Sequence, residues 1–216
     1  MDFEDILYFN EKRKRRAFCE WLFEKDEFNF NRSIYYSDEA VFYLNGHVNK
    51  HDVFIWATEN PSVIIEEANT SQRFIVWVLI GYNGIVKYKI FETTVTADVY
   101  EEILEENVIP FFTRRGNDNL IFQQDGAPAH FARRIRGILN ENLENRWIGR
   151  GSHLIEWPSR SPDLTVCDYF LWGYLKNNVY LHNVTNLNEF KNAITEEITK
   201  MPIKIIRKAV DNIVKR

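Results

Sequence analysis

The sequence has few cysteines and no long apolar segment. Its two cysteines, Cys19 and Cys167, are too few for a structural zinc site and lack the spacing of a disulfide scaffold, which fits a reducing compartment. We find no run of about 18 apolar residues, no secretory signal and no lipidation motif. Internal repeats and low-complexity tracts are also absent. These absences favour a soluble intracellular protein over a secreted or membrane-spanning one.

Hydrophobic and aromatic side chains are plentiful by contrast. Of 216 residues 45% are hydrophobic, and the aromatic ones comprise 16 Phe, 10 Tyr and 6 Trp. A chain of this length and composition can bury a sizeable core. We therefore expect one globular domain with short appendages.

The net charge of −4 conceals a basic segment. Between residues 114 and 160 the chain has eight arginines and only five acidic residues, so negative charge is concentrated elsewhere. If the protein acts on a polyanion, the polyanion would bind against this basic segment. A basic helix face exposed to solvent explains the same charge pattern equally well. The arginines are Arg114, Arg115, Arg133, Arg134, Arg136, Arg146, Arg150 and Arg160.

Alternating and periodic patterns predict the secondary structure. Runs rich in β-branched and aromatic residues at 33–44, 73–80 and 85–91 predict three long strands, the last two joined by the hairpin signal Asn83-Gly84. We expect these strands to form an antiparallel meander. Further strands are predicted at 120–124 and 153–157, helices at 9–28, 97–110, 129–142, 168–179, 188–200 and 203–214, and a variable loop with a short strand candidate, Val53–Ala57, at 46–72.

The predicted order is βββ-α-β-α-β-α-α-α. A meander followed by alternating strands and helices is typical of an α/β, ribonuclease-H-like fold. We expect a mixed five-stranded sheet, made of the antiparallel meander plus parallel strands and flanked by helices. In such a fold the catalytic acids stand at strand ends and on a following helix.

Three aspartates stand in or beside apolar segments. Asp38 lies inside the first predicted strand, Asp125 follows the strand at 120–124, and Asp168 begins an aromatic-rich helix. A carboxylate in such surroundings costs on the order of several kcal/mol of desolvation unless a cation or hydrogen bonds offset it. The three are therefore predicted metal ligands. Taken singly, each also fits a simpler interpretation, as an exposed strand residue, a turn residue or a helix cap.

A resemblance to a known family rests on the ordered segments Phe122–His130, Arg146–Arg150 and Trp157–Gly173. Together they resemble the catalytic domain of mariner/Tc1-type transposases, in the acidic-triad (DDE/DDD) superfamily, over roughly residues 10–200. The resemblance implies an RNase H-like domain at 31–216 after a linker helix region at 1–30.

The same resemblance implies the chemistry. It assigns Asp38, Asp125 and Asp168 as an all-aspartate catalytic triad that holds two Mg²⁺ or Mn²⁺ ions for DNA strand cleavage and strand transfer. DNA as partner, a homodimer and a nuclear location are further implications. Asp163 is an alternative third ligand, but it matches a Ser-Pro-Asp-Leu turn that the family's third ligand follows by five residues, so we prefer Asp168. The segment between Asp125 and Asp168 is longer than in the commonest members of the family, and we place the extra residues in a loop at 144–152.

Several other residues have both functional and structural interpretations. His130 could contact DNA, orient a ligand or serve a structural role, and Lys12–Arg16 resembles either a nuclear-entry patch or a solvated helix face. The tryptophans Trp147, Trp157 and Trp172 could stack on bases, but core packing is the favoured interpretation. The residues predicted to bind DNA are His130, Arg133, Arg134, Arg136, Arg146, Arg150 and Arg160.

Two departures from the family concern activity. Only 37 residues precede Asp38, which is too little for the helix-turn-helix modules that such transposases carry, so we expect a truncated copy or a host-retained domain. A non-catalytic nucleic-acid-binding remnant is the alternative. In addition, Val166-Cys167 follows Thr165 where the family has Pro, which predicts a looser turn before Asp168.

Overall fold

The computed structural model describes residues 3–25, 29–46, 72–115 and 119–215. The predicted loop at 46–72, with its strand candidate Val53–Ala57, lies almost wholly outside these residues. No helix in the described ranges is both long enough and apolar enough to span a bilayer.

A mixed five-stranded sheet in the order β3-β2-β1-β4-β5 forms the centre of the fold. The first three strands pair antiparallel, whereas β4 pairs parallel with both β1 and β5. This topology confirms the predicted meander and the predicted mixed sheet. The strands are β1 (Ile34–Tyr43), β2 (Arg73–Gly81), β3 (Gly84–Phe91), β4 (Ile121–Gln123) and β5 (Trp147–Ile148).

Helices cover both faces of the sheet, and two of them adjoin π-helical turns. One π turn, Leu104–Val108, joins α2 to α3, and the other, Cys167–Leu171, leads directly into α5. Each π turn adds a residue to the helical register, a feature frequent at functional sites. The helices are α1 (Phe3–Lys25), α2 (Ala97–Ile103), α3 (Ile109–Arg114), α4 (Arg133–Asn142), α5 (Trp172–Val179), α6 (Leu187–Lys200) and α7 (Ile203–Asn212).

Alternation along β1 divides the core into two parts. Tyr36 and Phe42 point to the side covered by α1, α5, α6 and α7, which we call the α5 face. Tyr35 points to the side covered by α2, α3 and α4, which we call the α4 face. Each of these buried aromatic side chains contributes about 2–3 kcal/mol relative to an exposed one. Because the period of a strand is two, consecutive residues of β1 serve opposite faces.

The position of β5 corrects one prediction. The strand predicted at 153–157 is wrong, because the fifth strand is Trp147–Ile148, inside the segment interpreted as a loop. Both residues are buried and pair with Phe122 and Gln123 of β4. A two-residue strand is too short to show an alternating pattern.

The N-terminal helix packs on the core. Phe18 and Leu22 are 2% and 3% exposed and belong to the core of the α5 face. The Phe18 ring meets Trp157 edge-on at 5.1 Å. The predicted linker helix is therefore packed against the sheet-covering helices and loops along this stretch.

Candidate active site

Parallel pairing of β1 and β4 brings Asp38 and Asp125 to one end of the sheet. The register pairs Tyr36 with Gln123, so two further residues along each strand bring Asp38 level with Asp125. Neighbouring strands lie about 4.8 Å apart. Asp38, in the middle of β1, thus stands beside Asp125, which follows the carboxyl end of β4.

Asp168 reaches the same place from the π turn that precedes α5. It is exposed, and its negative charge acts on Asp38. The turn before it is held by the Cys167 amide, which donates to Thr165 Oγ1 at 3.3 Å, and by the full burial of Val166 and Cys167. These contacts hold the turn in place although Val166-Cys167 follows Thr165 where the family has Pro.

Asp38 lies in an environment that disfavours its charge. Burial raises its pKa well above the ordinary value, and the negative charges of Asp168 and Glu39 raise it further. The indole Nε1 of Trp172 donates to Asp38 Oδ2 at 2.8 Å and partly offsets this effect. Asp38 therefore lacks the positive neighbour that a buried carboxylate needs in order to stay ionised.

Asp125 has the opposite environment, because a buried histidine binds it. His130 Nδ1 lies 2.6 Å from Asp125 Oδ1, and its Nε2 lies 3.3 Å from Glu39 Oε1. The imidazole is 2% exposed and stacks on Tyr100 with ring centroids 3.9 Å apart. His130 thus links the acid after β4 to an acid on β1 across the α4 face.

The charge of this link follows from its pKa values. Burial alone would lower the pKa of His130, but Glu39 and Asp125 together raise it to about 10. Burial would raise the pKa of Asp125, yet the His130 hydrogen bond and charge and the Ala127 amide lower it below the ordinary value. At neutral pH the group is a buried imidazolium between two carboxylates.

The turn after β4 is fixed by side-chain hydrogen bonds. Gln124 Nε2 donates to the His130 carbonyl at 3.2 Å, and Gln124 Oε1 accepts from the Tyr100 hydroxyl at 2.8 Å. The Ala127 amide donates to Asp125 Oδ1 at 3.0 Å, an Asx-type turn. These bonds hold the Asp125 carboxylate in one orientation.

The carboxylates are neighbours without forming a closed cage. Within the ranges that the structure describes, no three His, Cys, Asp or Glu side chains stand close enough together to hold one metal ion. One oxygen of Asp38 is bound by Trp172, and one oxygen of Asp125 by His130. A shared ion therefore requires side-chain rotation, which the exposed Asp168 permits.

Asp163, the alternative third ligand, is bound elsewhere. Both of its oxygens accept from the Arg15 guanidinium of α1, with the Nη1 to Oδ1 distance at 2.8 Å. The neighbouring Lys14 binds Glu156 at 2.5 Å, and Arg16 binds Glu20 at 2.7 Å. Asp163 and three residues of the basic patch on α1 therefore have structural partners.

The residues predicted to bind DNA divide into distinct environments. A direct DNA contact by His130 is not what the structure shows, because the ring is buried and both its nitrogens contact carboxylates. Arg134 pairs with Asp98 and Glu101, and Arg160 lies 3.8 Å from Glu11. Of the remaining arginines, Arg133 and Arg150 are exposed, and Arg136 and Arg146 are half-buried.

The three tryptophans pack in the core, as the favoured interpretation predicted. Trp147, Trp157 and Trp172 are 1%, 7% and 6% exposed. Trp172 has in addition the hydrogen bond to Asp38. Sequence reasoning missed that contact and also missed Glu39, although the period of a strand places Glu39 on the face opposite Asp38.

The comparisons with known proteins agree with this geometry. The family model for the DDE superfamily endonuclease matches residues 33–191. The chain belongs to the DDE endonuclease superfamily. This match spans β1 to α6 and includes Asp38, Asp125 and Asp168.

Solved structures confirm the fold of this DDE domain. The Mos1 transposase paired-end complex with left transposon end matches with a TM-score of 0.71 and 20% identity, covering 96% of this chain and 60% of that one. The Mos1 transposase catalytic domain with raltegravir and Mn matches with a TM-score of 0.68 and 17% identity, covering 95% and 90%. The predicted ribonuclease-H-like fold is confirmed.

Curated relatives are Tc1-type transposases. The Tc1 transposase of Caenorhabditis elegans is 28% identical over 118 residues, which is 54% of this chain and 40% of that protein. The Tc3 transposase of the same species is 25% identical over 181 residues, 83% of this chain and 51% of that protein. The DDE domain described here thus spans about half the length of the curated relatives that it matches.

Proposed function

We propose that this domain cleaves and joins DNA strands in a divalent-metal-dependent reaction, with Asp38, Asp125 and Asp168 as the metal ligands. The observation that carries the proposal is their convergence, from β1, from the end of β4 and from the π turn before α5. Membership of the DDE superfamily supports it. Further support comes from Mos1 transposase structures of the same fold, which were solved with Mn and with Mg.

The residues fit a divalent cation. Carboxylate oxygens are the donors that Mg²⁺ and Mn²⁺ take. Burial and the nearby charges of Asp168 and Glu39 raise the pKa of Asp38, and a cation at this point would favour its ionised form instead. When bound, two such ions would activate the attacking oxygen and stabilise the leaving 3′-oxygen.

The side chains of the chain itself orient the ligands. His130 and the Ala127 amide both bind Asp125 Oδ1, which leaves Oδ2 as the donor for an ion. Trp172 binds Asp38 Oδ2 and leaves Oδ1. We infer that Asp38, Asp125 and Asp168 would together hold the ions. The protein supplies alignment and electrostatics and forms no covalent intermediate.

A plasmid-nicking assay tests the proposal. Wild-type protein with Mg²⁺ or Mn²⁺ is expected to nick supercoiled DNA, and Asp125→Ala is expected to lose the activity by about 10²-fold or more. Asp98→Ala is the matched control, because Asp98 is an exposed acid on α2, away from the triad, and it should retain activity. Equal background nicking by wild type and Asp125→Ala would reject the proposal.

DNA as partner belongs to the same proposal. The Mos1 structures with transposon-end DNA support it for this fold. A homodimer, a nuclear location and the number of ions stay predictions. Gel filtration with light scattering, imaging of a tagged chain and metal titration calorimetry are the respective measurements.

A further inference from the structure

Three segments of the chain meet at the ring of Phe131. The Arg136 guanidinium carbon from α4 lies 4.4 Å from the ring centroid, and that of Arg150, from the loop after β5, lies 4.0 Å from it. Phe131 itself is fixed by its amide, which donates to the Ala127 carbonyl at 3.0 Å. Two cations thus share one aromatic ring, and the attraction of each to the ring holds the pair in place.

The charge of this pair is not neutralised by a neighbouring acid. In the described part of the chain, neither guanidinium has a carboxylate within 4 Å, unlike Arg134, which binds Asp98. The Nε of Arg136 is buried without a hydrogen-bond partner. Arg150 acts on Glu156 only at longer range. Two guanidinium groups near one ring, without a carboxylate within 4 Å of either, create a positive potential that attracts an anion.

The pair lies beside the triad. A methyl group on Gly126, the residue after Asp125, would lie 3.7 Å from both Cβ and Cδ of Arg150. Gly151 has φ of +80°, and a methyl group there would come within 3.2 Å of Arg136 Cδ. Glycine at 151 therefore lets the loop after β5 close on α4. The geometry places two unneutralised cations next to the turn that carries one catalytic acid.

We propose that Arg136 and Arg150, both packed on Phe131, form a clamp for the DNA backbone next to the phosphate that reacts at the triad. The proposal rests on DNA being the substrate, as argued above. A phosphate has two charged oxygens, and guanidinium groups bind such oxygens with paired N–H donors. Both cations pack on Phe131 within the folded chain, so the clamp exists before DNA arrives. The triad itself is strongly acidic, and the clamp compensates its repulsion of the DNA backbone.

DNA binding in the absence of divalent metal tests the clamp apart from catalysis. The probe is a short fluorescent DNA duplex in EDTA, titrated with the full chain at several salt concentrations. The double variant Arg136→Gln/Arg150→Gln should weaken binding roughly tenfold and lower the slope of log K against log salt by about two units. The control Arg16→Gln/Arg32→Gln removes the same charge at sites where the arginines pair with Glu20 and Asp211, and it should change binding less than threefold.

Two further variants separate the clamp from a purely structural role. Arg150→Lys, at an exposed position, keeps the charge and the fold but loses the paired donors, and it should weaken binding measurably while the melting temperature stays unchanged. Phe131→Leu keeps an apolar side chain but removes the ring, and it should also weaken binding. Thermal melts accompany every variant. Unchanged affinity and salt slope in the double variant and in Arg150→Lys would overturn the proposal.

The binding and nicking assays together distinguish a failure of the clamp proposal from a failure of the proposed function. Wild-type nicking together with normal DNA binding by the clamp variants would reject the clamp alone. Absent nicking together with weakened binding by the clamp variants would reject the catalytic proposal and retain the clamp.

Discussion

Asp38 and Asp125 stand level on neighbouring strands, yet their surroundings are opposite. On the α5 face, Asp38 meets a neutral indole and the charge of Asp168, and its pKa is raised. On the α4 face, Asp125 meets an imidazolium, and its pKa is lowered. The difference shows that Asp125 has a cationic partner built into the fold, whereas the described residues give Asp38 only a neutral hydrogen-bond donor. In the proposed function, a divalent cation would supply the positive charge beside Asp38.

The largest expected effect comes from removing the built-in cation. His130→Ala removes the buried cationic partner of Glu39 and Asp125, whose side chains are 17% and 44% exposed, and it should destabilise the fold by about 2 kcal/mol. Urea unfolding followed by circular dichroism measures this. His182→Ala is the matched control, because His182 binds Glu197 at the surface and should change stability far less. If His130→Ala lost no more stability than His182→Ala does, the contrast between the surroundings of Asp125 and of Asp38 would not hold.

Removing the other charge should act in the opposite direction. Asp38→Asn relieves burial of a repelled carboxylate and should raise the free energy of unfolding by about 0.5–2 kcal/mol while nicking is lost. Mg²⁺ should raise the melting temperature of wild type by mass action but have a much smaller effect on Asp38→Asn. Asp98→Asn, at a site 77% exposed, is the control. Destabilisation by Asp38→Asn would contradict the assigned environment.

The pH dependence of stability sharpens the same contrast. The pKa of His130 is raised from 6.5 to about 10, so its contribution is complete below pH 6.5 and is lost as pH rises through about 10. The pKa of Asp125 is lowered from 3.8, so its contribution is present above pH 3.8 and is lost in stronger acid. The stability difference between wild type and His130→Gln should therefore be largest between these limits and shrink towards pH 10. Unfolding curves across that range that show a constant difference would argue against a buried imidazolium.

The smallest expected effect concerns the turn before Asp168. Arg15→Ala removes the paired contact between α1 and Asp163 and should cost about 0.5–1 kcal/mol, since both side chains are 36% exposed. Arg16→Ala, which removes an exposed pair within α1, should reduce stability less than Arg15→Ala does. Thermal unfolding of both variants provides the comparison. Equal effects would mean that Asp163 does not anchor the turn to α1.

The sequence predicted the parts of the fold that local patterns determine. The hairpin at Asn83-Gly84 follows from turn chemistry, and β1 follows from a long apolar run, so both appear where expected. The fifth strand could not be found in this way. Trp147 and Ile148 form a strand because Phe122 and Gln123 offer a parallel partner, which is a contact between distant segments. Periodicity over two residues contains no signal for it.

The candidate site was predictable to a similar degree. Asp38, Asp125 and Asp168 were predicted as ligands because carboxylates interrupt apolar segments and because the family motifs imply their order, and their role stays a prediction. The partners Glu39 and Trp172 were missed, since their roles depend on which face of β1 each neighbour serves. Of the three interpretations open for His130, its contact with Asp125 fits the one in which it orients a proposed ligand, but its depth in the core is a property of tertiary packing.

The π turn at Cys167–Leu171 has a consequence for sequence variation in relatives of this chain. Its extra residue exists only because the helical hydrogen bond spans five positions there, so losing one residue would let the backbone close into an ordinary α-helix at little cost. The downstream helix would fold as before, but every side chain upstream would rotate by about 100° about the axis. A one-codon deletion in this turn is therefore expected to leave α5 intact but to turn the Asp168 carboxylate away from Asp38 and Asp125, which would remove the proposed metal site.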